Sequence, residues 1–263
     1  MSGRRRLDFA RRWLVFVVFL GVWELVTRGV DDPYFPPPSN IFSAAVDTWF
    51  TGTAMTDDIL PSIGRLLAGW AIAVVVGVVL GVALGRSPVA TDYVSPVFFF
   101  ARSVPATLLV PVFLVAFGIG PKMEIITVLF GAVWPVLLNT IDGARSVDDV
   151  KTETVRAFRI PRAQWVVGVV LPTALPKVFA GMRLALSLAI ILMVVSELMG
   201  GSSNGIGYQL ITAQGNFQLP QMWAWIVLVS VLGYVANLLL SAAERRALAW
   251  HPGFRAEADL LEA

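Results

Sequence analysis

From residue 66 to residue 85 nothing carries a charge, and Arg65 and Arg86 close the run at either end. As a helix rising about 1.5 Å per residue, this stretch is about 30 Å long, the thickness of a hydrocarbon core. Similar runs recur. Residues 13–26 hold one acid, Glu24, and are so few that the flanking arginines must snorkel toward the headgroups. Residues 94–117 are interrupted by Arg102, Pro105 and Pro111, and residues 125–141 lie between Glu124 and Asp142. Residues 178–199 contain Arg183 near one end and Glu197 near the other, and residues 222–243 run up to Glu244, Arg245 and Arg246. The pattern predicts an all-α polytopic transmembrane bundle of about six spans, near 13–27, 64–86, 94–117, 123–141, 177–200 and 221–243. The count falls to five if the first run is only interfacial. A basic tail (1–12) precedes this single domain (13–246) and a polar tail (247–263) follows it. No small-x-small cleavage site follows the first run, and the Arg5-Arg6 pair is a weak twin-arginine echo, so the run reads as a retained span.

The segments between the runs carry their own signals. In "DDPYFPPPSNIFSAAVDTWF" the prolines exclude helix until Ser39, a good N-cap. Ile41, Phe42, Ala45, Val46, Trp49 and Phe50 then recur at helical spacing. This predicts a short amphipathic helix, either lying on the outer membrane surface or packed over the spans, with Asp31, Asp32, Asp47, Asp57 and Asp58 turned to water. Gly77, Gly81 and Gly85 form a smooth ridge at four-residue steps, along which another helix can approach closely. "GGSSNGIG" (200–207) is Gly-rich but lacks the strand–turn–helix setting of a dinucleotide site, and reads as a loop.

Composition agrees with lipid as the solvent. The chain is 57% hydrophobic and 14% charged, with mean hydropathy +0.74, against about 25% charged residues in a soluble domain. With no Cys there is no disulfide or thiolate chemistry, and the lone His251 has no companions for a metal site and reads as a surface residue. A pI near 9.2 would suit nucleic acid, but the basic residues are distributed by loop, as in an oriented membrane protein. Arg4, Arg5, Arg6, Arg11 and Arg12 mark the N-terminal tail, Arg86 the loop after the second span, and Arg245, Arg246 and Arg255 the C-terminal tail. Arg145, Lys151, Arg156, Arg159, Arg162 and Lys177 crowd the segment between the fourth and fifth spans. All of these fall on one side, whereas residues 200–220 hold no basic residue. The positive-inside rule puts both termini and that long segment in the cytoplasm.

That segment, "ETVRAFRIPRAQWVVGVVLP" (153–172), is polar and too long for a turn. Residues 153–158 suit one short helix, Pro161 breaks it, and residues 162–170 suit a second that Pro172 and Pro176 end before the fifth span. Phe158, Ile160 and Trp165 have no reason to face water, so the knob reads as a docking element; a juxtamembrane helix anchored on lipid by Arg and Trp is the plainer alternative.

The same stretch resembles the EAA loop of ATP-binding-cassette importer permeases: E-A-A, three residues, G, nine residues, I, one residue, L-P. Here Glu153-Thr154-Val155 is followed by Arg159 at the Gly position, Val169 at the Ile position, and Leu171-Pro172 in register. Glu, Leu and Pro match; both Ala positions and the Gly do not. "YFPPPSNIF", "FGIG", "WPVLLNTIDG", "LPTALPKVFAGMRLALSLAIILMVVSELMG" and "GIGY" extend the resemblance, to the nitrate, sulfonate and taurine branch, over residues 10–250. The resemblance implies a type I importer permease of the bacterial inner membrane. Its coupling loop (145–176) would seat Glu153, Ala157, Phe158, Arg159, Ile160, Pro161, Leu171 and Pro172 against an ATPase. The implied partners are two ATPase subunits, a second copy of the permease, an extracytoplasmic solute-binding protein and the bilayer, with no nucleic acid. No Walker-type G-x-x-x-x-G-K-[ST] exists, since the three lysines follow Pro121, Val150 and Pro176, so ATP and Mg would be bound by the partner ATPase and no cofactor by this chain.

No catalytic constellation is present. Polar groups within spans are costly and tend to face a cavity, which makes Arg102, Asn139, Arg183, Ser196 and Glu197 the pathway candidates. Arg183 and Glu197 are about 21 Å apart along one helix, so each must sit near an end or find a partner elsewhere. The rival reading, a channel or secondary transporter without an ATPase, would call for inverted repeats, and none is visible. An integral-membrane enzyme would need clustered His, Asp or Glu, which one His and scattered acids do not supply. Small anions or organic solutes of the sulfonate, taurine or nitrate kind are the substrates the resemblance implies.

Overall fold

A computed structural model describes residues 2–250 apart from 31, 51 and 201, with side chains from residue 14 onward apart from that of Arg156. Its helices are α1 (Ser2–Val30), α2 (Pro38–Phe50), α3 (Leu60–Gly85), α4 (Pro88–Ser103), α5 (Val110–Phe117), α6 (Pro121–Arg145), α7 (Asp149–Ala157), α8 (Arg162–Trp165), α9 (Leu171–Met199), α10 (Ile206–Gly215) and α11 (Leu219–Ala247). There is no strand among the described residues. Among the described residues four helical runs have the length and hydropathy of a membrane span: Met55–Gly85, Pro121–Arg145, Arg162–Met199 and Leu219–Ala247. His251 and most of the C-terminal tail lie outside the described residues.

The predicted third span is not a single rod. It divides into Pro88–Ser103 and Ala106–Phe117, bent by 78°. Pro105 disfavours helix at the residue before it, and Val104 is extended (φ −79°, ψ 117°). Pro111 does not interrupt; it sits in the first turn of α5, where its missing N–H leaves nothing unpaired. Pro172 and Pro176 likewise fail to end a helix, and α8 runs through a π-helical turn (Val166–Val170) into α9. In that wider turn Leu171 N–H donates to Val166 C=O, shifting the hydrogen-bond frame just where Pro172 has no proton to give.

α6 is the centre of the bundle, with α3 on one side and α9 on the other. On α3, Gly69, Ala73, Gly77, Gly81 and Gly85 form one buried ridge at four-residue steps, longer than the predicted glycine ridge by two residues. On α6, Val128, Ala132, Val136, Thr140 and Ala144 repeat the same step, all buried. Ridges of this spacing interlock, and their smallness brings the backbones together. A Cβ at Gly77 would lie 2.8 Å from Val136 Cβ, and one at Gly81 would lie 2.5 Å from Thr140 Cβ. The α9 side is made the same way, with a Cβ at Gly181 meeting the Pro135 carbonyl at 2.8 Å.

The outer elements are tied on more loosely. α2 packs over α11 through Ala44, Ala45 and Ala224, so it covers a span, yet Phe42 and Phe50 remain exposed on its other face. Ser39 is not its N-cap but lies in its first turn, and the cap comes from α1: Ser39 N–H donates to Glu24 Oε2 at 3.0 Å and its hydroxyl to Oε1 at 2.7 Å. Arg28 pairs with the same carboxylate at 2.6 Å. Trp223 on α11 meets Trp23 edge to face at 5.6 Å and donates its indole N–H to the Tyr34 carbonyl.

The ridge is testable. Gly81→Leu is expected to lower the stability of the detergent-solubilised protein by about 2–3 kcal/mol, the usual cost of overpacking. Gly64→Ala, where an added Cβ meets nothing within 4 Å, should leave stability unchanged or raise it by up to about 1 kcal/mol. Thermal unfolding followed by circular dichroism compares the two, and equal melting curves would contradict the ridge.

Candidate functional site

The predicted knob forms as a helix–turn–helix. α7 ends at Ala157, Phe158 to Pro161 turn the chain, and α8 begins at Arg162. Arg159, at the position where the importer motif has Gly, adopts φ 52°, the left-handed conformation that a Cβ disfavours. Ile160 N–H donates to Val155 C=O at 3.0 Å, closing the turn as a Schellman motif. The bend is therefore made at Arg159 as well as at Pro161, with Arg159 in the backbone conformation that a glycine adopts readily. Trp165 does not face a partner. It is buried with Ala144, Val147 and Val170, with the Arg86 guanidinium 5.4 Å from its ring centre. Trp165 thus anchors the knob on the ends of α3 and α6, and corrects its reading as a docking residue. Phe158 is the exposed apolar group, 77% accessible, with Val150 at 67% nearby in sequence, and Glu153, Ala157, Arg159, Ile160 and Pro161 are also exposed. Leu171 and Pro172 are half-buried at the root of α9.

At the opposite end of the bundle a buried charge network joins four elements. Arg65 of α3 places Nη1 2.9 Å from Glu124 Oε2 on α6 and 3.2 Å from Glu197 Oε1 on α9, and its Nη2 donates to Asn204 Oδ1 at 2.6 Å. Glu197, 1% exposed, also accepts from the Ser62 hydroxyl at 2.5 Å and from Gly207 N–H at 2.8 Å. Gly205 N–H donates to Asp58 Oδ1, and Ile206 N–H to Ser62 Oγ. The first N–H groups of α10, which that helix cannot satisfy itself, are thus capped by side chains of α9 and of the segment leading into α3. Gly205 is required here: its φ is +123°, and a Cβ would lie 2.6 Å from the Glu197 carboxyl carbon. "GIG" is therefore an anion-capped helix start, and the predicted loop 200–220 holds the helix α10. Asp58, expected in water, is 4% exposed because it serves this cap.

The five pathway candidates separate. Glu197 belongs to the network, and Ser196, also enclosed, donates to the Met193 carbonyl. Asn139 is half-buried and donates to the Pro135 carbonyl one turn back. Arg183 pairs with Glu244 across α9 and α11, the partner on another helix that its position demanded. Arg102 is exposed at the end of α4, 4.7 Å over the Phe99 ring. Of the network, the sequence reading found only Glu197 as a candidate. Arg65 and Glu124 both stand at span boundaries on one side of the membrane, and that shared depth was the available signal for their pairing. Among the described residues no group of three or more His, Cys, Asp or Glu side chains is placed to hold a metal ion.

A polytopic helical bundle with a protruding helix–turn–helix between two central spans is the architecture of a membrane transport subunit. Residues 73–248 match the family of binding-protein-dependent transport system inner membrane components, and the chain belongs to that family. It is 29% identical over 254 residues to the putative aliphatic sulfonates transport permease SsuC of Bacillus subtilis, covering 96% of this chain and 91% of that one. The taurine transport permease TauC of Escherichia coli is 26% identical, covering 87% of this chain and 85% of TauC. The nitrate import permease NrtB of Leptolyngbya laminosa is 26% identical, covering 86% and 83%. In fold the chain is similar to a chain of the inward-facing MetNI methionine ABC transporter, with TM-score 0.59 and 22% identity over 72% of this chain and 93% of that chain.

Two substitutions probe the two ends. Arg65→Leu strands buried Glu124 and Glu197 without their cation and should cost about 3–5 kcal/mol; a thermal midpoint within 1 °C of the parent would refute the network's weight. Arg159→Gly relieves the left-handed strain and should stabilise the turn by about 0.5–1 kcal/mol. Its readout is slower proteolytic nicking within residues 157–162 in the glycine variant.

Proposed function

We propose that this chain is the transmembrane permease subunit of an ATP-driven importer, and that residues 153–172 carry motion between the spans and a separate ATPase. The observation behind this reading is the knob itself: Trp165 roots it in the bundle while Phe158, four-fifths accessible, is left without a partner. A ring exposed at the tip of a rooted helix–turn–helix suits a pocket on another protein. ATP and Mg belong to that partner. Two permease copies, taken as a homodimer, two ATPases and an external binding protein make up the working unit. Translocation proceeds by alternating access between the copies. The prolines of the bent pair let its arms move, and Arg102 at the break is the pathway group in this reading. Glu197, Ser196 and Arg183 act through packing, and Asn139 through its helix. Both termini and the knob face the cytoplasm, following the Lys and Arg distribution. The substrate class is a small anion or organic solute of the sulfonate, taurine or nitrate kind, as in the relatives.

The test uses the complete complex in vesicles. Phe158→Ala removes a central interface ring worth about 2 kcal/mol, so ATPase docking should weaken about thirtyfold. Glu153→Ala should uncouple substrate-stimulated ATP hydrolysis from uptake with a smaller effect on assembly. Single Cys at the exposed Asp57 and Ser203 should label from outside, and Cys at the exposed Arg162 only after permeabilisation. Normal uptake and stimulation in both knob variants, or outside labelling at position 162, would overturn the reading.

A further inference from the structure

Between the knob and the end of α3 lies a recess of about 610 Å³ whose lining includes Arg86, Arg159, Arg162, Val155, Trp165 and Val166. The three guanidiniums come from different elements: the C-cap of α3, the left-handed turn, and the start of α8. The lining contains no acid. The ion pairs among the described residues are Arg28–Glu24, Arg65–Glu124, Arg65–Glu197 and Arg183–Glu244, so among those residues none of the three arginines is within ion-pair distance of a carboxylate. Arg86 is held in place by the Trp165 ring and by the Ala144 carbonyl at 3.4 Å, which fixes one wall of the recess. Three arginines lining one recess bring positive charges to one neighbourhood, and an anion bound there relieves their mutual repulsion.

We propose that this recess binds the phosphate of an anionic phospholipid headgroup. Its depth points to lipid. Arg86 follows directly on Gly85, the last residue of a membrane-spanning helix, which puts it at headgroup level. Apolar side chains adjoin it on the chain: Val167, next to the lining Val166, is 67% exposed and Val89, just past Arg86, is 65% exposed. A lipid satisfies both features, with its phosphate among the arginines and its acyl chains along the valines; basic pockets at helix ends on the cytoplasmic side commonly take such headgroups. An acidic side chain of the ATPase would use the charges but leave the valines unexplained. The proposal rests on the proposed function for the placing of this end at the inner leaflet, and it shares Arg159 and Ile160 with the loop which that reading gives to the ATPase.

The experiment is native mass spectrometry of the intact chain, released from nanodiscs containing equal phosphatidylglycerol and phosphatidylethanolamine. The parent should retain one phosphatidylglycerol in preference to phosphatidylethanolamine. R159Q/R162Q should weaken that retention about 25-fold, at about fivefold, or roughly 1 kcal/mol, per charge removed, while R159K/R162K keeps most of it. Equal phosphatidylglycerol retention by the parent and R159Q/R162Q would overturn the proposal. So would displacement of the lipid by millimolar inorganic phosphate, which would mark a site for free phosphate, or its loss whenever the ATPase is bound, which would assign the arginines to an acidic protein surface. Because no transport is measured, the lipid site and the importer reading stand or fall separately.

Discussion

Close approach of helix backbones along α6 is the constraint on which the rest of the bundle depends. In a bilayer the hydrophobic effect does not drive one helix against another, since lipid tails are as apolar as leucine. Association must come from contact, and contact is greatest where side chains are smallest. Gly69, Gly77, Gly81 and Gly85 on α3 meet Val128, Val136, Thr140 and Ala144 on α6, while Gly143 and Gly181 admit α9 on the other side. These ridges leave little room for sliding, so α3, α6 and α9 form a rigid slab. The loosely attached parts, α1, α2 and the two arms of the bent pair, expose large apolar residues, as do the outer faces of α3 and α11.

The slab is closed at its two ends by different chemistry. At one end Arg65 lies between Glu124 and Glu197, and Glu197 also accepts from the Gly207 amide in the first turn of α10. By accepting backbone N–H bonds from Gly205 and Gly207, Asp58 and Glu197 fix the segment that carries Gly205. At the other end the fixing group is Trp165, with Arg86 stacked over it, and the charges above it stay exposed. One end is thus tied together by buried charges, although the Glu124 oxygens have the Arg65 ion pair and no hydrogen bond; the other is rooted by Trp165 and exposed at its surface. The knob and α9 are joined by a helix that continues from Arg162 to Met199.

Much of this was legible in the chain. The apolar runs bounded by charge report spans directly, because the cost of burying charge in hydrocarbon is large and local. The four-residue glycine step predicts a close helix contact, since helical geometry alone places those residues on one stripe. The knob was visible from its polarity and its resemblance to the importer loop. What stayed hidden depended on distance in space. Nothing local distinguishes Phe158 from Trp165, both aromatic and both in a basic segment, yet one is exposed and the other buried. Nor does anything local reveal that Pro172 sits behind a π-helical turn that tolerates it, or that Asp58 caps a helix about 150 residues away. Local sequence determined which segments are long and apolar enough to cross a membrane and which helix faces are narrow, because those follow from solvation and helix periodicity. Only tertiary structure decided that Arg65, Glu124 and Glu197 share one buried site and that Arg86, Arg159 and Arg162 share another, because pairing of charges is set by which helix ends the packing brings to the same depth.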